Sequence, residues 1–337
     1  MLRLHFTEPD LRRVRLADGV DPLWETVLSL HQLPAREGAL AFGGWRTSAR
    51  SWAADRRHRA ILAMLGSIAP PQRYFPDFLT PEQGREGLDV GLDAILGTPR
   101  ARLAAELGAT FRRRSKQVPR WAAQLATGAR DMRQLLVQLL RTYHSDVVLP
   151  YAATSEQTVA ADRAWRAQAL LSDGIDGLCG TFGPHARWER NVLQLPYPND
   201  VDLYLRGRGV TLVPSFYCWG KPVSLADKSL APVIVYPVEH DPASWCATSD
   251  EGRAADLGAL LGCTRAEVLR AVARGGTPGR IALWLGIAPS VVSHHTTILR
   301  QAGLITTVRD GRWARHEVTP LGEAVLSGAG AVRGRPR

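Results

Sequence analysis

The chain has 337 residues, of which 45% are hydrophobic and 22% are charged. This composition is that of a globular protein and excludes a wholly disordered chain, and the length predicts two or three domains. The 42 Lys and Arg residues outnumber the 32 Asp and Glu residues, which gives a formal net charge of +10. That charge favours an anionic partner such as nucleic acid, although arginine-rich composition is also what a GC-rich genome encodes.

The N-terminal residues predict neither a secretory signal nor a membrane anchor. Residues 1–20 carry charges throughout, and no stretch of the chain approaches 18 consecutive apolar residues. The four cysteines are scattered along the chain without a CxxC pair: Cys179, Cys218, Cys246 and Cys263. In a chain of this length they do not form a disulfide framework. We therefore expect a cytoplasmic protein with reduced thiols.

Residues 1–171 predict a mainly α-helical N-terminal domain. A short strand is expected at residues 2–6, and the Gly- and Trp-rich stretch 38–52 is expected to be a loop. Apolar residues recurring every three or four positions, several of them after Asp, Thr or Pro start signals, predict the helices. These helices are at 21–33, 55–68, 80–96, 98–114, 131–148 and 155–171.

Residues 172–250 are richer in Gly, Pro and aromatic residues and predict a β-containing subdomain for dimerisation or sensing. Short β-like runs occur at 187–195, 210–214 and 231–238. The aromatic residues of this region include six of interest: Tyr204, Phe216, Tyr217, Trp219, Tyr236 and Trp245. They have two interpretations, as packing of the protein core or as the wall of an apolar ligand pocket.

Residues 251–328 predict a winged helix-turn-helix, a DNA-binding domain. The pattern gives helices at 253–261, 264–274, 278–286 and 289–302, strands at 304–309 and 312–318, and a helix from Pro320. Residues 329–337 are expected to be a disordered tail. The predicted fold class is therefore mainly α with small β elements, ending in a winged helix-turn-helix.

The helix at 289–302 has the features of a DNA-recognition helix. Thr277 and Pro278 start the preceding helix, Gly286 ends it, and Pro289 starts the next. An inward face is predicted from Val292, Thr296, Leu299 and Gly303. The opposite face carries short hydrogen-bonding groups and one cation, which suit base edges and phosphates. These predicted DNA-binding residues are Ser290, Ser293, His294, Thr297, Arg300 and Gln301.

A basic β-hairpin follows this helix. Asp310-Gly311 is a two-residue hairpin signal between alternating strands, and Arg309, Arg312 and Arg315 surround it. Arginines at such a tip fit a wing that contacts the DNA backbone or the minor groove. Residues 251–337 hold 12 Arg against six Asp or Glu, so a net charge of +6 lies in the last quarter of the chain. Codon bias does not explain that asymmetry, because both parts share one genome.

The run Ser293-His294-His295, followed by 298–304, Arg309–Arg312 and 319–322, resembles the ArsR-like winged-helix repressors. Those proteins have an S-H-H-L-x-x-L-R-x-A-G-L helix and an R-x-G-R wing, and the resemblance covers about residues 253–328. Over its whole length, the chain looks like the long ArsR-like regulators of actinomycetes, which have a large N-terminal region. The resemblance implies a homodimer on a palindromic operator, repression by operator occupancy, and base contacts from Ser293 and His294.

The chain departs from the family at its metal sites and at one helix position. No thiol occurs in residues 275–280, and the last helix offers only Glu323 as a ligand, so we expect no metal and no cofactor. Pro289 stands where the family often has a polar residue such as Gln. His294 and His295 do not suit a metal pair, because adjacent helix positions point about 100° apart; His295 is expected to be half-buried and hydrogen-bonded.

Three functions remain open from the sequence. The first is a transcription regulator whose N-terminal domain dimerises, with or without a site for a small-molecule effector. The second is a DNA-bound scaffold that recruits a protein. The third is an enzyme with a DNA-binding tether, and it is the least favoured: no P-loop, GxSxG, GxGxxG after a strand, or HExxH occurs. Asp200 and Asp202 could pair as carboxylates, but no partner base is evident. We expect no enzyme.

Overall fold

The computed structural model describes residues 1–71, 74–112, 118–183, 186–240, 257–258, 260–310 and 313–327. It does not describe the side chains of residues 40, 309–310, 313–315 and 327. Most of the helix predicted at 253–261 lies outside the described residues. So do Cys246, Trp245, Gly311, Arg312 and the predicted tail. No described helix is both long enough and apolar enough to cross a membrane.

The chain forms two compact units, each built from two segments. The first unit contains residues 1–34 and 48–239, and the second contains residues 35–47 together with those from 240 onward. The helices that precede position 240 are α1 (Glu8–Leu11), α2 (Pro22–Gln32), α3 (Ala39–Trp52), α4 (Arg56–Ile68), α5 (Leu88–Leu96), α6 (Arg100–Arg112), α7 (Arg120–Ala126), α8 (Arg130–Tyr143) and α9 (Ala152–Gly180). The domain boundaries drawn from the sequence stay predictions.

The predicted helix starts follow from capping chemistry. The Asp21 carboxylate accepts hydrogen bonds from the backbone N–H of Leu23 at 3.0 Å and of Trp24 at 3.1 Å, and Pro22 fills the first turn. Asp55 caps α4 in the same way. The predicted helix 80–96 is divided, because Gly87 at φ 132° separates a 3₁₀ turn at Glu82–Glu86 from α5.

The helix α3 occupies Ala39–Trp52, so the prediction of 38–52 as a loop is wrong. Three large or apolar positions with helical spacing are buried: Phe42, Trp45 and Ala49 are at most 3% exposed. Burying this stripe outweighs the helix-weakening effect of Gly43 and Gly44. The helix predicted at 155–171 is also longer than expected and reaches Gly180, with a break in helical geometry at Gly174.

Two four-stranded sheets complete the first unit. The strands are β1 (Leu2–His5), β2 (Val14–Leu16), β3 (Arg187–Glu189), β4 (Val192–Leu195), β5 (Val201–Tyr204), β6 (Val210–Ser215), β7 (Val223–Ser224) and β8 (Val233–Pro237). One sheet has the order β3-β4-β1-β5, and the other has the order β2-β6-β8-β7 with β2, β6 and β8 parallel. The two strands nearest the N-terminus therefore pair with strands from the far end of this unit's sequence.

One hydrophobic cluster of the first unit lies between these sheets and α9. It contains Leu4 and Leu193 from one sheet, Leu212 and Ile234 from the other, and Val159 from α9. Cys179 and Cys218 are buried free thiols. Cys263, in the second unit, is disulfide-bonded, so the prediction of a reduced thiol is wrong at this residue.

The second unit contains α10 (Cys263–Ala273), α11 (Pro278–Leu285), α12 (Pro289–Gln301), β9 (Ile305–Asp310), β10 (Trp313–Val318) and α13 (Pro320–Ser327). This is the order of helices and strands that the sequence predicts. Strands β9 and β10 are antiparallel, and Leu269, Ile281, Leu285, Val292 and Leu299 form the centre of the core. The prediction of a mainly α chain with small β elements is confirmed.

Candidate nucleic-acid interface

A three-residue turn joins α11 to α12. Gly286 ends α11 in the left-handed conformation, at φ 67° and ψ 33°, which favours glycine. The N–H of Ile287 then donates to the carbonyl of Ala282 at 3.1 Å, and the Ile287 side chain packs on the core. Ala288 is extended, and Pro289 begins α12 as predicted. This turn fixes the start of α12 relative to α11.

The buried face of α12 is the predicted one, with one exception. Val292 and Leu299 are 0% exposed, and Thr296 is 4% exposed with its hydroxyl donating to the carbonyl of Val292 at 3.0 Å. The sequence also predicts Gly303 on this face, but Gly303 is exposed and lies beyond the helix at φ 70°. Its role is to allow the left-handed backbone that leads into β9.

The outer face of α12 carries the six residues that the sequence selects for DNA. All six side chains are exposed: Ser290, Ser293, His294, Thr297, Arg300 and Gln301. The Thr297 hydroxyl donates to the carbonyl of Ser293 at 2.9 Å, so its oxygen still presents lone pairs to solvent. Their exposure satisfies the first requirement for base or phosphate contacts, and their role in binding DNA stays a prediction.

The two adjacent histidines of α12 have different environments. His294 is exposed, whereas His295 is half-buried, and burial followed by the charge of Arg265 lowers the pKa of His295. Its Nδ1 atom is buried and has no hydrogen-bond partner among the described residues, so the expectation of a hydrogen-bonded histidine is wrong at this atom. No group of three metal-ligating side chains occurs in the part of the chain that the structure describes.

Each strand of the hairpin begins one residue later than predicted, at Ile305 and at Trp313. Asp310 belongs to β9 and pairs with Trp313, so it is a strand residue and not the first residue of the turn. Arg309 pairs with Ala314, and Arg315 pairs with Val308. The side chains of Arg309 and Arg315, and the whole of Arg312, lie outside the described part of the structure, so their role in a wing stays a prediction.

The segment that contains α11 and α12 carries basic side chains and no acidic ones. Residues 268–309 contain no Asp or Glu, a run of 42 positions that includes five arginines. Arg274, Arg280 and Arg300 are exposed, and none forms a salt bridge with a described residue. By contrast, Arg270 pairs with Glu267 on α10. The positive charge is therefore available to an external anion along this stretch.

Sequence reasoning missed one feature of this surface. The guanidinium of Arg280 lies 4.9 Å from the centre of the Trp284 ring. The signal was present, because residues four apart on a helix are neighbours and α11 includes both positions. Neither residue is among the predicted DNA-binding residues, which all lie on α12 and the hairpin.

The other candidate residues lie in the first unit. Asp200 accepts a hydrogen bond from Arg3 at 3.0 Å, and Asp202 bonds to His5 at 2.7 Å. Arg3 also lies 3.8 Å from Asp202, so this one guanidinium pairs with both carboxylates. Among the six aromatic residues, Phe216, Tyr217 and Tyr236 are buried, Trp219 is half-buried and Tyr204 is exposed. Burial of the first three agrees with the core-packing interpretation.

Comparison with known proteins gives one partial similarity. No family model matches the chain, and no solved structure matches it significantly. Over 73 residues, or 21% of the chain, it is 32% identical to the "Putative arsenical resistance operon repressor ArsR" of Halobacterium salinarum. The match spans 57% of that relative, so the chain covers little more than half of its length. At the level of a general class, this similarity supports an ArsR-like regulator.

Proposed function

We propose that this chain is a sequence-specific DNA-binding transcription regulator whose second unit is a winged helix-turn-helix. In this proposal α11 and α12 are the helix-turn-helix, α12 enters the major groove, and the β9–β10 hairpin is the wing. Ser293 and His294 contact base edges, and Ser290, Thr297, Arg300 and Gln301 contact base edges or phosphates. Arg309, Arg312 and Arg315 hold the wing on the DNA backbone.

The division of α12 into two faces carries this proposal. Three residues with helical spacing anchor the helix in the core, and the six predicted contact residues are all exposed on the other side. The exposed face of α12 is polar and carries no carboxylate. Packing of α12 in the core does not require either property. The run of 42 positions without acidic residues supports DNA as the partner, because an acidic side chain there would repel phosphates.

The partial similarity to an arsenical resistance operon repressor favours repression as the mode of regulation. Repression would follow from occupancy of a palindromic operator by a homodimer. The first unit would supply dimerisation, and an effector would act through its different affinities for DNA-competent and DNA-incompetent states. The lack of a thiol in residues 275–280 argues against metal as that effector at the start of the helix-turn-helix.

Selection from a random duplex pool tests the proposal and requires no assumption about the operator sequence. The full-length chain is expected to enrich a palindromic motif and to bind it roughly 10³-fold more tightly than a scrambled duplex. Binding is also expected to weaken steeply with salt. Equal, weak binding to enriched and scrambled duplexes would contradict sequence-specific regulation. Such a result would favour the alternative function, a scaffold that recruits a protein. In that case the purified Ser293→Ala/His294→Ala variant should still retain the protein partner in a pull-down.

A further inference from the structure

Arg280 and Trp284 form a cation–aromatic pair on α11, in which the arginine is exposed and the ring is partly buried. The guanidinium of Arg280 lies 4.9 Å from the centre of the Trp284 ring. Stacking on an aromatic face restricts the rotamers of a long arginine side chain but leaves its N–H groups, which lie in the plane of the guanidinium, able to donate. The pair therefore presents a positioned cation, and not a freely moving one, at the surface.

The Trp284 ring is itself held in place. It is partly buried and packs against the core of the second unit. Gly276 lies beside it, and a Cβ atom at this glycine would be 2.9 Å from the ring and 2.7 Å from the Ile281 side chain. Only a residue without a side chain leaves room for the indole ring at this place. The support under Arg280 is thus fixed by packing.

Arg280 has no acidic partner in the part of the chain that the structure describes. It forms neither a salt bridge nor a hydrogen bond with any described residue. A guanidinium has five N–H donors, and a cation that is fixed yet has no carboxylate beside it suits an external anion. No Asp or Glu occurs between positions 268 and 309 to compete for it.

The position of Arg280 is also fixed relative to the proposed reading face of α12. Helices α11 and α12 share one core, and the hydrogen bond from Ile287 to Ala282 closes the turn between them. Because α11 cannot tilt without disturbing Ile281 and Leu285, which are buried, Arg280 and Ser293 belong to one rigid element. A ligand that contacts both would meet them in a constant geometry.

We propose that Arg280, held on the Trp284 ring, contacts a backbone phosphate of double-stranded DNA. This inference rests on the proposed function and adds α11 to the DNA-contacting surface. The contact positions the duplex and reads no base, because a phosphate carries no sequence information. Gly276 and Trp284 act through Arg280 as positioning residues.

The salt dependence of DNA binding tests the contact. Loss of one phosphate contact lowers the slope of log K against log salt by about 0.9 for B-form DNA. Between 50 and 200 mM salt, the affinity of the wild type should therefore fall roughly 3-fold more than that of Arg280→Ala, on the enriched duplex and the scrambled one alike. Arg130→Ala removes an exposed arginine of the first unit that forms no salt bridge with a described residue, and it serves as the control for net charge. It should leave the slope unchanged.

A double-mutant cycle tests the support from Trp284. Trp284→Leu should weaken binding roughly 3-fold in the wild-type background and have no further effect in the Arg280→Ala background, whereas Trp284→Phe should retain most of the affinity. Thermal unfolding of each variant verifies that it folds. If Trp284→Leu weakened binding equally in both backgrounds, the ring would have a purely structural role and the inference would be overturned.

The outcomes separate this inference from the proposed function. A normal salt slope in Arg280→Ala, with the wild type still preferring its enriched duplex, would overturn the Arg280 contact alone. A wild type without salt-dependent binding to any duplex would overturn both. A slope reduced by about 0.9 in Arg280→Ala, but not in Arg130→Ala, is the expected result.

Discussion

The carboxylate of Glu25 accepts a hydrogen bond from the backbone N–H of Phe216 at 2.9 Å. Its second oxygen accepts from the N–H of Tyr217 at 3.1 Å, so one side chain of α2 holds the segment that follows β6. Glu25 is 1% exposed, and no described residue forms a salt bridge with it. Burial raises the pKa of Glu25 to about 7, and the nearby charge of Asp21 adds to this effect.

The raised pKa predicts a pH-dependent stability of the first unit. The pKa of the Glu25 carboxyl is higher in the folded state than its ordinary value of 4.5. Its contribution to the stability of the folded state is therefore complete below pH 4.5 and is lost as the pH rises through about 7. This difference in pKa corresponds to about 3 kcal/mol in the free energy of unfolding.

Glu25→Gln removes this titration. As the pH rises from 4.5 to 8, the free energy of unfolding of the wild type should therefore fall by about 3 kcal/mol more than that of the variant. Urea unfolding at both pH values measures this shift. Parallel pH dependences of the two proteins would contradict the assignment.

A buried ion pair predicts a large loss of stability when one partner is neutralised. Arg166 donates to Asp162 at 2.9 Å, both are at most 6% exposed, and the guanidinium lies over the rings of Phe182 and Tyr236. Asp162→Asn would leave the buried cation uncompensated, which should cost about 3–5 kcal/mol in the free energy of unfolding. Replacing both residues, as in Asp162→Leu/Arg166→Met, should recover much of this loss. A double variant less stable than Asp162→Asn would argue that the charges contribute a net stabilisation.

Two residues two positions apart on α12 should have opposite phenotypes. Leu299 is fully buried, so Leu299→Ala should lower the free energy of unfolding by about 2–5 kcal/mol. Thr297 is exposed, so Thr297→Ala should leave stability within about 0.5 kcal/mol of the wild type and weaken DNA binding instead. Chemical denaturation and duplex binding are measured on both variants. If Thr297→Ala lost stability and Leu299→Ala did not, the assignment of the two faces would be wrong.

The proposed base contacts predict a loss of discrimination. Ser293→Ala/His294→Ala removes side chains that are exposed at adjacent positions of α12 and should cost about 1–3 kcal/mol per lost base contact. The affinity for the scrambled duplex should change little, because phosphates dominate that binding. Competition between enriched and scrambled duplexes measures the ratio. An unchanged ratio would remove these two residues from base recognition.

Local sequence patterns predicted the second unit well because its helices are short and clearly bounded. Pro278, Gly286 and Pro289 are residues whose backbone preferences start or end a helix, and they do so in the structure. Apolar spacing then placed Val292 and Leu299 inside and the polar residues outside. The same spacing wrongly predicted that Gly303 lies on the buried face. Gly303 follows the helix, where its left-handed backbone conformation is required.

Long-range pairing was not predictable in the same way. Strands β2 and β5 are short, and each exists because a partner strand lies beside it: β2 pairs with β6, and β5 pairs with β1. A short segment has too little intrinsic preference to be identified alone. Helix α3 was missed for the related reason that burial of Phe42 and Trp45, and not helix propensity, stabilises it.

The sequence by itself determined the order of helices and strands in the second unit, the buried and exposed faces of α12, and the basic surface around it. These properties follow from spacing, capping and charge, which act over short stretches of the chain. Only the tertiary structure decided that Glu25 bonds to the backbone of the segment after β6, and that Tyr236 donates to Asp162. Burial, hydrogen bonding and ring contacts depend on which surfaces meet, and no local pattern contains that information.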